Sequence, residues 1–430
     1  MGTPQRLVWP RVAVVTVAVL LASGCAMMPW VDDDPEAQQD DQVTEMEVDP
    51  VLIRADDDGE SIQISAEEAF EKAYYAFQAR RYEEAAKYYG LIIEYFQDSR
   101  FYLPALYNGG LSFEELDQWE DAADAFRTIV DDFPDSEEAL NAEFRLGSAL
   151  HELGEYEEVG ERLTELLLRD ELEPFDRMEA HVRRGNALLE LEEWSDAENS
   201  FRAVVEINEE KPEVDRLDDD HRFLVMSHFG RGQANHGRMN EIPLKLPPER
   251  MADDLEEMAD YHLSAQAAYI QALRQYHPYW SVAAGYKAGR LYEDLYVTIF
   301  TAEIPDDLTE EELAYYFEAL RDKLEVLMER AMSIYERNLA LSRRISGGVD
   351  ATDEWIDEMV VHKERLRAFL DDKLVQQRAE ELVLEKGHLD DLWDAGYFAR
   401  QHIDDAVDSA VDEIEDVIDD EELLDEVASH

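Results

Sequence analysis

The sequence predicts an all-α fold: a solenoid of helical hairpins that ends in a long antiparallel helical hairpin. Three observations point there. Four segments share one order of small and aromatic residues, with the leading aromatics Tyr82, Trp119, Tyr156 and Trp194 spaced 37, 37 and 38 apart. Helix breakers fall between the candidate helices, at Ile242-Pro243-Leu244-Lys245-Leu246-Pro247-Pro248 and at Gly347-Gly348. The composition, 45% hydrophobic and 10% aromatic, supplies a large core in spite of a net charge of −64. A length of 430 residues would otherwise suggest two or three domains, but a stacked array needs no such division.

The charge balance, 103 acids against 39 bases, excludes some functions. Nucleic acid calls for clustered Lys and Arg, and charge-driven docking on anionic lipid needs the same. One cysteine excludes a disulfide framework and any zinc site built on several thiolates.

Taken in order, Arg6 and Arg11 precede an apolar run from Val12 to Leu21, which is too short to span a bilayer. Small residues and Cys25 follow, as in a secretory signal peptide over residues 1–24. Leu21-Ala22-Ser23-Gly24-Cys25 resembles the bacterial lipoprotein lipobox. That resemblance implies lipid attachment at Cys25. With Ala26 rather than Asp after it, it also implies the periplasmic face of the outer membrane. An ordinary signal peptide with a chance cysteine is the other reading. Residues 26–65 hold 13 acids and one base, Arg54, and residues 25–64 are expected as a disordered acidic tether. Asp56-Asp57-Asp58-Gly59-Glu60 has the composition of a calcium loop but fails its register, because Arg54 falls at the first ligand position.

Ser65 and Glu68 predict a capping box at the first helix. The four repeats then read Ala73, Tyr82, Ala85 and Tyr89; Gly110, Trp119, Ala122 and Phe126; Gly147, Tyr156, Val159 and Leu163; Gly185, Trp194, Ala197 and Phe201, with Pro134 closing the second. Small residues such as Gly147 and Ala85 let two helices approach, and large ones such as Trp119 and Phe126 fill the space between neighbouring units. The pattern resembles the tetratricopeptide repeat (TPR) family, and the resemblance implies a right-handed helical solenoid over residues 65–345.

Two stretched units follow. Helices are expected at 221–237 and 252–276, then at 280–296 and 309–344, with loop insertions near 238–251 and 301–308. A long helix from about 351 to 386 should pair with its predecessor, giving a C-terminal region of 346–400. The block from His277 to Tyr292, with Leu320-Arg321-Asp322-Lys323-Leu324, is similar to segments of large TPR lipoproteins of myxobacterial-type envelopes, including gliding-motility complexes. The tail, 401–430, is acidic. Ile403, Val407, Val411, Ile414 and Ile418 would share one helical face, but self-repulsion favours disorder equally.

No catalytic constellation, metal site or cofactor is expected. His221, His228 and His236 share a helical face, but without a Cys or an i, i+4 His they read as capping or flank residues. His277 reads as a turn residue. Acid pairs such as Glu114-Glu115 carry no information at this composition.

The family resemblance implies that first helices line a concave groove. Phe70, Tyr74, Phe77, Tyr107, Leu111, Phe144, Asn186, Tyr286 and Arg290 would project there, some of them as core. Few bases are expected on those helices, so an extended or helical peptide segment is the expected ligand rather than an acidic C-terminus. The function so implied is a non-catalytic, lipid-anchored scaffold binding protein partners at the outer membrane. The alternatives are an outer-membrane assembly factor holding extended clients, or a regulator of a periplasmic hydrolase. The acidity, with 9 Lys against 30 Arg, reads as adaptation to high salt, with a cationic partner as the rival.

Overall fold

The computed structural model describes residues 51–55, 61–211, 216–217, 221–304, 309–345 and 352–371. The signal peptide, Cys25, most of the tether, Gly347-Gly348, the long helix beyond residue 371 and the acidic tail lie outside the described residues.

Part of the expected tether is a two-stranded antiparallel sheet. β1 (Val51–Ala55) pairs with β2 (Ser61–Ser65), and Leu52 sits opposite Ile64. β-branched residues in Val51-Leu52-Ile53 and Ile62-Gln63-Ile64 favour extended backbone. Ile64 is buried among Ala66, Ala69 and Ala73, and Leu52 packs on the same cluster. The acids of this stretch hide a short apolar alternation.

Thirteen helices follow among the described residues. They are α1 (Ala66–Gln78), α2 (Tyr82–Tyr95), α3 (Tyr102–Glu115), α4 (Trp119–Asp132), α5 (Ala139–Leu153), α6 (Tyr156–Leu167), α7 (Pro174–Glu190) and α8 (Trp194–Glu210), then α9 (Arg222–Glu241), α10 (Pro248–Arg274), α11 (Trp280–Phe300), α12 (Glu310–Ile345) and α13 (Asp353–Asp371). Ser65 caps α1, its hydroxyl accepting from the Glu68 amide at 3.2 Å. Consecutive helices pair as hairpins from α1/α2 to α11/α12, and α13 packs on both α12 and α11.

Each signature aromatic is the first residue of a second helix: Tyr82 of α2, Trp119 of α4, Tyr156 of α6 and Trp194 of α8. Two residues before each one the backbone turns left-handed, at Arg80, Asp117, Gly154 and Glu192. The next amide reaches back to a carbonyl five residues earlier: Arg81 to Ala76, Gln118 to Phe113, Glu155 to Leu150 and Glu193 to Leu188, each at 2.9 Å. This is a Schellman C-cap, which satisfies the last carbonyls of the first helix and aims the chain straight into the second.

The small residues permit close packing where they face a ring. A Cβ on Gly110 would lie 2.6 Å from the Phe126 ring, and one on Gly185 would lie 2.7 Å from Phe201. Phe201 also faces Gly230 of α9, and Trp194 faces Gly237, so these two rings join one unit to the next. Gly147 departs from expectation, since a Cβ there would meet nothing within 4 Å. Its counterpart Leu163 is smaller than the Tyr89, Phe126 and Phe201 of the other repeats, and space is left over.

The stretched units form the largest cluster of buried apolar residues, from Val225 through Phe369. α11 lies at its centre, buried on nearly every side. The two insertions meet across it: the Glu303 amide donates to the Leu244 carbonyl at 3.0 Å, and the Leu246 amide donates to Glu303 at 2.8 Å.

Candidate binding surfaces

First helices adjoin one another along the array, α7 with α9, α9 with α11 and α11 with α13. The residues expected to line their common face divide into three groups. Tyr74 is 44% exposed, while Tyr107, Leu111 and Asn186 are half-buried, Tyr107 packing edge-on to Phe126 at 6.0 Å and Leu111 against the same core cluster. Phe70 and Phe77 are half-buried but engaged: Phe70 packs on Tyr89 and Phe101 at 5.7 and 5.2 Å, and Phe77 packs on Tyr82 at 5.6 Å. Phe144 and Tyr286 are buried, at 6% and 7% exposure, and belong to the core. Tyr286 is enclosed by Trp355, His362 and Tyr335 at 5.3, 5.8 and 6.3 Å. α13 covers it, and α13 had no counterpart in the repeat pattern from which the face was counted.

Contrary to the expectation of few bases, these helices carry several cations. Arg145 donates to Glu114 at 2.8 Å. Arg183 is bound by Glu179 at 2.7 Å and Ser148 at 2.5 Å, with its guanidinium 5.6 Å from the Phe144 ring. Arg290 donates to Asp294 at 2.9 Å. Burial lowers the pKa of Lys287, and the neighbouring Arg290 lowers it further. The signal that could have found these was the run of Arg on first helices in a chain otherwise poor in bases.

The three histidines of α9 do separate work. His221 precedes the helix, and its ring nitrogen accepts from the Phe223 amide at 3.3 Å. His228 is half-buried. His236 is buried and lies 2.9 Å from Asp294. His277 caps the start of α11, its ring facing the amides of Tyr279 and Trp280 at 3.3 and 3.4 Å. Among the described residues no group of His, Cys, Asp and Glu is arranged to hold a metal ion.

α11 also carries two adjacent buried acids that face different neighbours. Asp294 meets His236 of α9, whose other nitrogen is 3.4 Å from the Tyr269 hydroxyl. Glu293 accepts from Tyr335 of α12 and meets His362 of α13 at 2.9 Å. These contacts fix three helices to one.

Residues 104–136, which span α3, α4 and the turn after them, match the tetratricopeptide repeat family model. A solved tetratricopeptide repeat protein from Parabacteroides merdae ATCC 43184 is similar at 15% identity, over 69% of this chain and 98% of that chain, with a TM-score of 0.34. No curated protein sequence matches the chain. Residues 104–136 are thus similar to a tetratricopeptide repeat and lie within an all-α array of helical hairpins.

Proposed function

We propose that this protein is a non-catalytic scaffold that holds protein partners on the face built from its first helices. The observation that carries the reading is how those helices divide their surface. Gly110 and Gly185 are used up in packing against Phe126 and Phe201. Tyr74, Tyr107, Leu111 and Asn186 remain at least partly open. Repeats of this kind generally mediate protein–protein contact, and aromatic rings flanked by amide and guanidinium groups suit an extended or helical peptide. The same reading places the protein on the periplasmic face of a bacterial outer membrane. The lipobox-like segment ending at Cys25 supports that position, and the block 277–292 supports a role in an envelope-spanning or gliding-motility complex.

Two experiments test the two halves. Cys25→Ala should move the protein from membrane to soluble fractions, and unchanged membrane association would refute the anchor. Crosslinking in cells, followed by identification of crosslinked proteins, should recover a small stoichiometric set with the native chain. Tyr74→Ala combined with Tyr107→Ala should lose it. If the doubly changed chain keeps every partner, the first-helix face is not the binding surface.

A further inference from the structure

Acids are spread unevenly over the array. The second helices α4, α6, α8 and α10 each hold four to six acids and at most two bases. The first helices α7, α9 and α11 together hold eight bases and six acids. Some of those bases serve a neighbouring helix, as Arg231 does Glu198 at 3.1 Å. Others stay on the first-helix face. Arg183 of α7 lies within the fields of Arg145 of α5 and Arg222 of α9. Lys287 of α11 makes no ion pair among the described residues, and the carboxylates it feels are Asp294 and Glu190. We infer that this face is occupied by the chain's own acidic tail, residues 403–427, docked as a helix and excluding partners until it is displaced. The inference rests on the reading of that face as the binding surface.

Charge supports it first. Arg145 donates to Glu114 yet stays 38% exposed. Burial lifts the Glu114 pKa to about 7 against the pull of Arg145, so near neutral pH that pair keeps part of a positive charge. Lys287 is half-buried, and an ammonium in that position without a carboxylate in contact is short of compensation. Residues 403–427 bring thirteen acids and no base. Docking against cations also relieves their mutual repulsion, which the acidic second helices would only increase. Pattern supports it next. Ile403, Val407, Val411, Ile414 and Ile418 share one helical face with acids to either side. Tyr107 and Leu111 offer half-buried apolar surface, and Tyr107 lies within reach of Arg145. A groove takes an amphipathic helix by this combination. Reach is the third support. Three helix spacings separate α5 from α11, about 25–30 Å, and Ile403 to Ile418 in a helix spans about 24 Å. The 31 residues between Asp371 and Ile403 have a coil reach of about 30 Å. A segment tethered on that scale has a local concentration on the order of millimolar.

The test uses the full chain with the photocrosslinker benzoylphenylalanine at Asn186 on the first-helix face, or at Glu206 on the exposed surface of α8. After irradiation, trypsin releases residues 401–430 as one peptide, since no base follows Arg400. That peptide should be the main product joined to position 186 in the monomer band, and about fivefold scarcer at position 206. Arg145→Gln with Lys287→Gln should lower the yield about fivefold, against less than about twofold for Arg202→Gln with Arg274→Gln on second helices. Val411→Ser with Ile414→Ser should lower it as well, and should raise the capture of partner proteins in cells. Equal labelling at the two positions, or a yield indifferent to these changes, would reduce the contact to random collision and overturn the inference. Tail peptide found only in a dimer band would also overturn it, by assigning the tail to a second copy. Partners captured at position 186 without the tail peptide would remove the tail and leave the binding face standing. Capture of neither would remove the face itself. Thermal melts of each variant keep loss of fold distinct from loss of docking.

Discussion

His236 Nε2 stands 2.9 Å from Asp294 Oδ2, with both side chains buried, and this contact joins α9 to α11 at the centre of the largest core. Burial alone would raise the Asp294 pKa. The hydrogen bond and charge of His236, together with Arg290, outweigh that and hold it at about 2. A carboxyl depressed in the folded state stabilises it above the unfolded pKa, and the gain disappears as pH falls through the folded value. The contribution should therefore be complete above about pH 4 and vanish toward pH 2. Asp294→Ala should cost about 3–5 kcal/mol at pH 7, because it leaves Arg290 and His236 without their anion. Asp294→Asn should cost less. Urea unfolding at pH 7, 4 and 3 measures both, and a loss independent of pH would contradict this account.

His262 acts in the same direction over a higher pH range. It is fully buried on α10, edge-on to Tyr292 at 4.7 Å, and neither ring nitrogen has a hydrogen-bond partner. Burial pulls its pKa down to about 3, with His236 adding to the effect. The unfolded chain takes up a proton below about pH 6.5 and the folded chain does not. Stability should therefore fall by about 1.4 kcal/mol per pH unit from that point toward pH 3. His262→Leu removes the titration together with two unsatisfied polar atoms. Its melting temperature should match or exceed that of the native chain at pH 7 and exceed it clearly at pH 5. A parallel decline in both proteins would show that His262 is not the group responsible.

The left-handed turns supply a third prediction. Arg80, Asp117 and Glu192 occupy positive φ, where a side chain costs about 1–2 kcal/mol and glycine little. Only the third repeat uses glycine, at Gly154, with φ of 79°. Asp117→Gly and Glu192→Gly should each stabilise by about 0.5–1 kcal/mol after the extra freedom of glycine in the unfolded chain is deducted. Gly154→Ala should destabilise by a similar amount. Denaturant midpoints decide the matter, and a loss on introducing glycine would mean that the native side chains hold the turn.

The helix pairs were legible because packing imposes them on composition. A ring such as Phe126 needs a small residue opposite, and that need recurs with the repeat at Gly110 and Gly185. The inter-repeat turn repeats as well, since Phe96-Gln97-Asp98-Ser99 returns as Phe133-Pro134-Asp135-Ser136, a spacing of 37 that also marks the fold. The β1–β2 hairpin was obscured because thirteen acids dominated a stretch whose few apolar residues alternate. The contacts of Glu293 and Asp294 were illegible for a different reason. Those between helices join residues 42, 58 or 69 positions apart, through helices whose relative rotation no local pattern specifies.

The two central glycines of repeats two and three should respond oppositely to one methyl group. At Gly110 the new Cβ would stand 2.6 Å from the Phe126 Cζ, and Phe126 is fully enclosed between Leu106, Ala122 and their neighbours. Neither ring nor helix can yield without disturbing that packing, and overpacking of this kind costs about 1–3 kcal/mol. Alanine's better helix propensity returns about 1 kcal/mol, so Gly110→Ala should be destabilising by up to about 2 kcal/mol. At Gly147 the methyl meets nothing within 4 Å, and only the propensity term acts. Gly147→Ala should therefore stabilise by up to about 1 kcal/mol. Coupling Gly147→Ala with Leu163→Phe restores the ring of the other repeats over a position that can no longer accept it, and the gain should be lost. Equal responses at the two glycines would show that the third hairpin closes in solution as tightly as the second.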